Sequence, residues 1–397
     1  MNDIRLAEFF GYDNPGTPDE ASDFNVMFVR GPIVCLYNPI DFFSRSHARG
    51  TDFFSPSKAS GGVVSPLQHR WRLLLLCLLL MLLFLAVGGL LMINMPGRSY
   101  KGPLAPLSRA EQEIREHLRS HVQALAGDIG ERNLFEYRAL KASVDYIQKV
   151  LQDQGYNVGE QEYQVKELTV KNIDAQCPGT GKPEKIIIVG AHYDSVYGCP
   201  GANDNATGVA ALLEIARLIK GRNLPRSVRF VAFVNEEPPF FQTSEMGSWV
   251  YAQRCRQRSE NIVGMLSLET IGCYLDFPGS QIYPFPFSLF YPNRGNFIGF
   301  VGNTASRDLV RRTIRTFRRE TKFPSEGVAA PGIIPGIGWS DHWAFWKQGY
   351  PAVMITDTAL YRYRYYHTNN DTPDKIDYDR MARVVAGLMI VLEDLAK

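Results

Sequence analysis

Apolar runs of strand length alternate with amphipathic segments of helix length from about residue 136 onward, and this alternation restricts the fold more than any other feature. Buried strands separated by helices favour a largely parallel sheet with helices on both faces. The strand-like runs are GEQEYQVKELTV (159–170), KIIIVGAHY (185–193), RSVRFVAFV (226–234), NIVGMLSLE (261–269), NFIGFVG (296–302) and PAVMIT (351–356). We predict an α/β fold with a mixed, largely parallel central sheet sandwiched by helices, and ligands beyond the carboxyl ends of its strands.

An uncharged apolar run at residues 73–94 stands ahead of this pattern. As a helix rising about 1.5 Å per residue it would cross a bilayer core of about 30 Å, so we predict a single transmembrane helix. A cleaved signal peptide is the alternative, but its basic region would then be about 70 residues long. We predict a weakly ordered tail at 1–68 and a globular domain at 105–397, which opens with the capping-box spacing of Ser108 and Glu111.

Basic residues flank the apolar run with a small excess on its amino-terminal side. Lys58, His69, Arg70 and Arg72 precede the run, and Arg98, Lys101 and Arg109 follow it. The positive-inside rule then favours a cytoplasmic amino terminus and an extracytoplasmic carboxyl-terminal domain. The sequons at Asn205 and Asn370 lie in loops rich in potential metal-ligating residues, where a glycan would obstruct a site. We therefore expect a bacterial inner-membrane protein that faces the periplasm.

Charge and cysteine content restrict the partners less sharply. The formal net charge of +2 gives no overall field for nucleic acid, and we interpret the basic segment RRTIRTFRRETK (311–322) as a solvated helix face. Beyond the apolar run there are four cysteines, a number that permits two disulfides without requiring any. They are Cys177, Cys199, Cys255 and Cys273. Oligomeric state has no signature here.

Polar residues begin where the first apolar strand stops, in IIIVGAHYDS. His192 and Asp194 are two apart and share a face if the strand continues, so the carboxylate could orient the imidazole for metal binding. A purely structural His–Asp pair is the alternative. Asp204 follows twelve positions after His192, just before a helix, where an N-cap is the competing interpretation.

Glu236 and Glu237 follow the second apolar run directly, and neighbouring carboxylates repel one another unless a cation separates them. Because consecutive strand residues point to opposite sides, one glutamate could bind a metal while the other holds the water that the metal activates. Glu269 ends the third run, and His367 comes from a late loop. The sheet topology would bring these residues to one edge.

These residues resemble the zinc aminopeptidases of metallopeptidase family 28, which also contains glutamate carboxypeptidase and the glutaminyl cyclases. The resemblance covers about residues 105–397. The matching segments, in family order, are AHYDS, GANDNATG, NEEPP followed by MGS, LETIG, SDHWAF and YYHTNNDTPDKID. The family's fold is the zinc aminopeptidase (phosphorylase/hydrolase-like) sandwich.

The resemblance implies a role for each position. The implied zinc ligands are His192 and Glu269 for the first ion, Glu237 and His367 for the second, and Asp204 as the bridge between them. Glu236 would be the general base and Asp194 the partner of His192. The family often has Asp where this chain has Glu269. Ser340, Asp341 and His342 match a segment near the family's active site.

The resemblance further implies an aminopeptidase that acts on peptides with a free amino terminus, and the apolar run at 73–94 would anchor it in a membrane. Two zinc ions are the expected cofactors, with manganese or cobalt as substitutes. The alternatives on the same scaffold are a carboxypeptidase for acidic residues, a glutaminyl cyclase, which can act with one zinc, and a catalytically inactive receptor. Every ligand position here holds a competent residue, which disfavours the inactive receptor.

Two loops are candidates for substrate contacts. The aromatic segment YRYRYY (361–366) directly precedes His367 and could wall a substrate pocket, although an ordinary packed loop is equally compatible with the sequence. SLFYPNRGNF (288–297) follows a Pro-rich stretch, and we expect it to form part of a long loop over the site.

Overall fold

The computed structural model describes residues 66–397, except for the side chains at 66–69, 72–73 and 82–87. The predicted tail (1–68) therefore lies, as far as residue 65, outside the described residues. The α-helices are α1 (Pro66–Ile93), α2 (Arg109–Val122), α3 (Tyr137–Asp153), α4 (Thr207–Ile219), α5 (Gly247–Gln257), α6 (Arg307–Glu320), α7 (His342–Lys347) and α8 (Tyr378–Leu395).

One mixed sheet forms the centre of residues 66–397, with the strand order β1-β2-β4-β3-β5-β8-β6-β7. Its strands are β1 (Val158–Val165), β2 (Leu168–Cys177), β3 (Lys182–His192), β4 (Arg226–Phe233), β5 (Asn261–Glu269), β6 (Ile298–Gly302), β7 (Ser325–Ala329) and β8 (Ala352–Thr356). The four strands β4, β3, β5 and β8 are parallel neighbours, whereas β1 and β2 add an antiparallel hairpin and β6 pairs antiparallel with β8. The predicted mixed α/β sheet is confirmed.

The parallel strands are nearly continuous apolar runs because helices cover both faces. In β3 every residue from Ile186 to His192 is buried, as is every residue of β8. Helix α4 is buried along almost its whole length, and its closest strand contacts are with β3. A central strand buried on both faces lacks the polar alternation of a half-exposed one.

The carboxyl ends of the parallel strands meet at one edge of the sheet. His192 of β3 pairs with Phe233 of β4, and Glu269 of β5 pairs with Thr356 of β8. The strands β3, β4, β5 and β8 therefore end at the same edge of the sheet, and the polar side chains that follow them lie close together.

The structure adds elements that the sequence pattern did not predict. GEQEYQVKELTV, taken as one alternating run, is the β1–β2 hairpin, which turns at Lys166, a residue of positive φ. Helices α5 and α7 and strand β7 are short or only weakly patterned and were not predicted. The predicted capping box is present, since Ser108 Oγ accepts the Glu111 N–H and the Glu111 carboxylate accepts the Ser108 N–H.

Within the described part of the chain, none of the helices combines the length and apolarity needed to span a bilayer, so a spanning helix at 73–94 is not confirmed. The interpretation of 311–322 as a solvated helix face is corrected in part. Guanidinium groups of Arg307, Arg311 and Arg318 donate to backbone carbonyls between Leu91 and Gly97, because α6 packs beside the end of α1 and the segment that follows it.

Candidate metal centre

His192, the last residue of β3, lies at the centre of a buried group of carboxylates. Its Nε2 atom is 3.3 Å from Asp204 Oδ1, 3.3 Å from Glu269 Oε2 and 3.9 Å from Glu236 Oε2. All four side chains are buried. The strand exits therefore bring the first predicted set of ligands, His192, Asp204 and Glu269, within reach of a single ion.

A second donor group lies on the other side of Asp204. His367 Nε2 is 3.2 Å from Asp204 Oδ2 and 3.3 Å from Glu237 Oε2. Its side chain is 31% exposed, so this half of the centre is open to solvent. The two oxygens of Asp204 thus face different histidines, which is the arrangement that a carboxylate bridging two ions requires.

The donor chemistry fits metal ions. The His192 Nε2 and Glu237 Oε1 atoms are buried and have no hydrogen-bond partner. Buried polar atoms are rarely left unpartnered, and bound cations would account for these two atoms. Imidazole nitrogens and carboxylate oxygens suit zinc, manganese or cobalt.

Without a metal ion, protons bound to the histidines and to some of the carboxylates balance the negative charge of this cluster. Burial lowers the pKa of His367, but the neighbouring Glu237 and Asp204 carboxylates more than offset this and raise that pKa to about 11. The pKa of His192 is also raised, because burial is outweighed by Glu269 and Glu236. Burial and repulsion from Asp204 raise the pKa of Glu237 to about 7.

Two further carboxylates of the cluster respond in opposite directions. Burial raises the pKa of Glu236, and the nearby Glu269 and Glu237 raise it further. Burial acts to raise the pKa of Asp204, but the nearby His192 and His367 imidazoles outweigh that effect and lower it. A cation would take over the charge balance that these protons provide.

Asp194 connects two of the strand exits. The Nδ1 atom of His192 is 3.2 Å from the main-chain carbonyl of Asp194 and 3.5 Å from its carboxylate, which leaves Nε2 for a metal. The same carboxylate accepts the backbone N–H groups of Glu236 and Glu237, each at 3.1 Å. The predicted His192–Asp194 pair is therefore present, and Asp194 also fixes the turn that carries both glutamates.

The loop that carries Asp204 is held from two sides, and Asp204 is not a helix cap. Helix α4 begins without a side-chain cap from Asp204, and Asn205 Oδ1 accepts the Gly208 and Thr270 N–H groups instead. Asn205 is buried, consistent with its interpretation as a catalytic-loop residue. These bonds tie the loop to the end of β5, next to Glu269.

Asp371, which sequence reasoning did not identify, holds the other side of this loop. Its carboxylate accepts the backbone N–H groups of Asn203 at 2.8 Å and Asp204 at 3.1 Å, and the Tyr363 hydroxyl at 2.7 Å. Asp371 lies four residues after His367. It therefore links the loops that supply Asp204 and His367, and its position in the segment HTNND was the only available signal.

The three residues of the segment Ser340–Asp341–His342 lie in three different environments. Ser340 Oγ donates to Glu269 Oε2 at 2.7 Å and fixes the longer glutamate. Asp341 is buried, neither of its oxygens has a hydrogen-bond partner, and burial beside Glu269 and Asp194 raises its pKa to about 7. His342 instead contacts the Ile337 carbonyl through Nε2, at 2.8 Å, and serves the packing of α7.

An apolar cavity of about 110 Å³ adjoins the metal centre at Glu269 and Tyr366. Its lining includes Tyr283, Phe287 and Tyr291 from the loop after β5, Pro335, Ile337 and Trp339 from the loop after β7, and Val301, Val328 and Met354 from the sheet. The loop predicted to cover the site and part of the aromatic segment both contribute. Tyr366 also stacks on the His367 ring at 3.8 Å, whereas Arg362 and Tyr363 point into the protein.

The described cysteines form no disulfide. Cys177, Cys199, Cys255 and Cys273 are all free, as is Cys77 in α1.

Comparison with known proteins identifies relatives of this fold and site. The chain matches peptidase family M28 over residues 172–391. It is 39% identical to the uncharacterized protein YfbL of Escherichia coli over 70% of this chain and 87% of that protein. It is 27% identical to leupeptin-inactivating enzyme 1 of Streptomyces exfoliatus over 62% of this chain, and it spans about half (49%) of that relative.

Solved structures show the same fold at low sequence identity. The zinc aminopeptidase BSAP from Bacillus subtilis matches with a TM-score of 0.59 at 16% identity, over 71% of this chain and 95% of that one. A glutaminyl cyclase from Fimbriiglobus ruber matches with a TM-score of 0.53 at 21% identity, over 74% and 97%. With the family match covering more than half of the chain, the protein belongs to peptidase family M28 and is a metallopeptidase.

Proposed function

We propose that this metallopeptidase is an aminopeptidase that binds two zinc ions and removes apolar residues from the amino terminus of peptides. The observation that carries the proposal is the pair of donor groups, His192–Asp204–Glu269 and Asp204–Glu237–His367, that share one carboxylate. A complete second group favours the two-ion peptidase over the cyclase reaction, which can proceed with one zinc. Bound there, zinc ions would polarise the scissile carbonyl and lower the pKa of a water.

Glu236 is the residue that we assign to proton transfer. Its carboxylate accepts a proton from the water whose oxygen forms the new bond to the carbonyl carbon. It then gives that proton to the amine nitrogen as the carbon–nitrogen bond breaks. Burial, together with Glu269 and Glu237, raises the pKa of Glu236, which makes this carboxylate a stronger base than an exposed one. Asp194 supports this role by holding the Glu236 backbone N–H.

Charge at the site favours an amino terminus over a carboxyl terminus. The buried carboxylates in or beside the centre include Asp194, Asp204, Glu236, Glu237, Glu269 and Asp341. Two divalent ions would leave part of this negative charge uncompensated. A cationic substrate amino group would therefore be attracted, whereas the acidic carboxyl-terminal residue of a carboxypeptidase substrate would be repelled.

The adjoining cavity supports a preference for apolar residues. Its walls are largely aromatic and aliphatic, and the side chains that depart from this are Thr356, Thr358, Glu269 at the metal centre and Glu326, which pairs with Arg318 at 3.3 Å. A leucine or phenylalanine side chain placed there would bury apolar surface without leaving a charged group unpaired.

The test is hydrolysis of aminoacyl-arylamides by the full chain in detergent, before and after chelation and with zinc restored. We expect zinc-dependent cleavage of leucyl and phenylalanyl substrates and no cleavage of the N-acetylated leucyl control. Cyclisation of a glutaminyl substrate, or release of a carboxyl-terminal glutamate, with the free-amine panel untouched would replace the aminopeptidase with one of its alternatives.

Membrane attachment through residues 73–94 is part of the proposal. It is supported by the uncharged composition of that run and by the exposure of the described leucines of α1 between Leu74 and Leu80. The basic residues before the run favour a cytoplasmic amino terminus and a periplasmic catalytic domain. Protease added to intact spheroplasts should digest the catalytic domain, and complete protection would reverse the topology.

A further inference from the structure

Two loops beside the cavity carry no charged residue over long stretches. Residues 277–293 and residues 327–340 contain no Asp, Glu, Lys or Arg. Both stretches are rich in proline, glycine and large apolar residues, and both lie largely outside regular secondary structure. Loops at a water-exposed surface are ordinarily polar. Two neighbouring loops without charged residues therefore indicate a surface that contacts something other than water.

The tips of these loops expose their apolar side chains. We call five residues the apolar rim: Ile282 (60% exposed), Phe285 (83%), Leu289 (69%), Phe290 (56%) and Ile333 (92%). Single exposed apolar side chains are common, but a group confined to two uncharged loops marks an interaction surface.

The rim lies beside the cavity, because rim residues alternate with lining residues in the same loops. Tyr283 and Phe287 line the cavity between Ile282 and Leu289 of the rim, and Ile337 lines it just beyond Ile333. Hydrogen bonds hold the first loop to its neighbours: Tyr291 donates to the Gly327 carbonyl at 2.7 Å, and the Ile282 N–H donates to the Tyr361 carbonyl at 3.0 Å.

The rim is also continuous with the end of α1. Met92 of α1 packs, together with Phe287, Tyr291 and Ile334, against the buried cluster that contains Val328 and Met354. Arg98 and Lys101, in the segment after α1, are exposed. Membrane-contacting surfaces of proteins typically combine apolar side chains with nearby cations that contact the lipid headgroups. The end of α1, the apolar rim and the cations of the segment after α1 provide this combination.

We infer that the apolar rim docks into the lipid bilayer interface, so that the cavity beside the metal centre receives substrates from the membrane surface. This inference rests on the proposed membrane attachment. A surface that binds a protein partner normally has an apolar centre and a polar border. The two loops have no charged residue at any position and so lack such a border, which favours lipid over a protein partner. The substrate class is accordingly peptides whose amino-terminal region is held at a membrane.

Lipid photo-crosslinking of the full chain in nanodiscs tests the docking directly. Phospholipids with a photoactivatable group near the headgroup end of the acyl chain should label peptides from α1 and from residues 277–293 and 327–340. Labelling of α1 without the two loops overturns the docking and leaves the membrane attachment intact. Labelling of neither removes the attachment and the docking together, and a dimer with unlabelled rims would assign the rim to a second copy.

A variant of the full chain tests the consequence for substrates. Phe285→Ser, Leu289→Ser and Ile333→Ser are combined because none of these residues lines the cavity. We expect unchanged cleavage of soluble leucyl-arylamide and an about tenfold loss for a leucyl peptide anchored in vesicles by a carboxyl-terminal acyl chain.

The matched control is Ile390→Ser, an exposed apolar residue of α8 outside both loops, which should leave both rates unchanged. If the triple variant lowers both rates equally, or neither, the rim does not act through the membrane. Failure of the proposed aminopeptidase activity itself would differ, since the wild-type chain would then leave the soluble substrate uncleaved.

Discussion

The metal centre and the apolar rim lie on either side of one cavity, and they are built by opposite means. At the centre the side chains other than His367 are buried, and they are held by specific contacts, as Asp194 and Ser340 illustrate. At the rim the residues are exposed, uncharged and placed on loops. The residues that need a fixed geometry for chemistry thus lie at the edge of the sheet. The residues proposed to contact the membrane lie on loops, whose sequence can change without disturbing the sheet.

The largest expected effect is a loss of turnover without a loss of substrate binding. Glu236→Gln should lower kcat by about 10² to 10⁴, because the amide cannot accept the proton from water. Zinc content and KM for the leucyl substrate should stay near wild type, as measured by metal analysis and steady-state kinetics. Glu320→Gln, an exposed change on α6, is the control, and full turnover by a zinc-loaded Glu236→Gln chain would remove Glu236 from the mechanism.

The second prediction alters recognition alone. Val328→Phe would fill part of the cavity and exclude a large substrate side chain. The ratio of kcat/KM for leucyl over alanyl substrates should fall by about 10- to 200-fold, the usual range for a mismatch in an apolar pocket. An unchanged ratio, with zinc content also unchanged, would place the substrate side chain elsewhere.

A third change tests how firmly the sheet edge fixes its ligands. Asp371→Asn removes one of the two oxygens that hold the Asn203 and Asp204 backbone, so zinc affinity should fall by about 10- to 100-fold. Competition with a chelator measures the affinity. Asp374→Asn, an exposed change three residues after Asp371, is the control and should leave the zinc affinity unchanged. Equal losses of affinity in both variants would show that Asp371 has no specific role in holding the ligands.

The smallest effect concerns protons at the centre. The pKa of His367, about 11 without metal because of Glu237 and Asp204, means that the imidazole is protonated at pH 7 and must lose its proton to bind zinc. Apparent zinc affinity should therefore rise with pH, about tenfold per unit for each proton released. Calorimetry in buffers of different ionisation enthalpy would detect the proton, and an affinity independent of pH between 6 and 8 would contradict this.

The sequence predicted the centre better than the rim, for a physical reason. His192, Glu236, Glu237 and Glu269 follow apolar runs, and parallel strands must bring such positions to one edge. Their placement together was therefore predictable, while their individual roles stay predictions.

Loop contacts have no comparable rule. The bonds of Asp371 and Ser340, and the approach of the α6 arginines to residues 91–97, depend on how distant segments meet. The rim had a compositional signal in its long uncharged stretches. That signal identifies a surface only once the exposure of each side chain is known.

The stacking of Tyr366 on His367 ties the two regions together. One loop supplies a cavity wall in Tyr366, a predicted metal ligand in His367 and the Asp371 carboxylate four residues later. Related chains that evolve a new substrate preference should therefore diverge first at sites such as Val328, on the far wall. A change at Tyr366 would alter preference and metal retention together, so selection on one property would constrain the other.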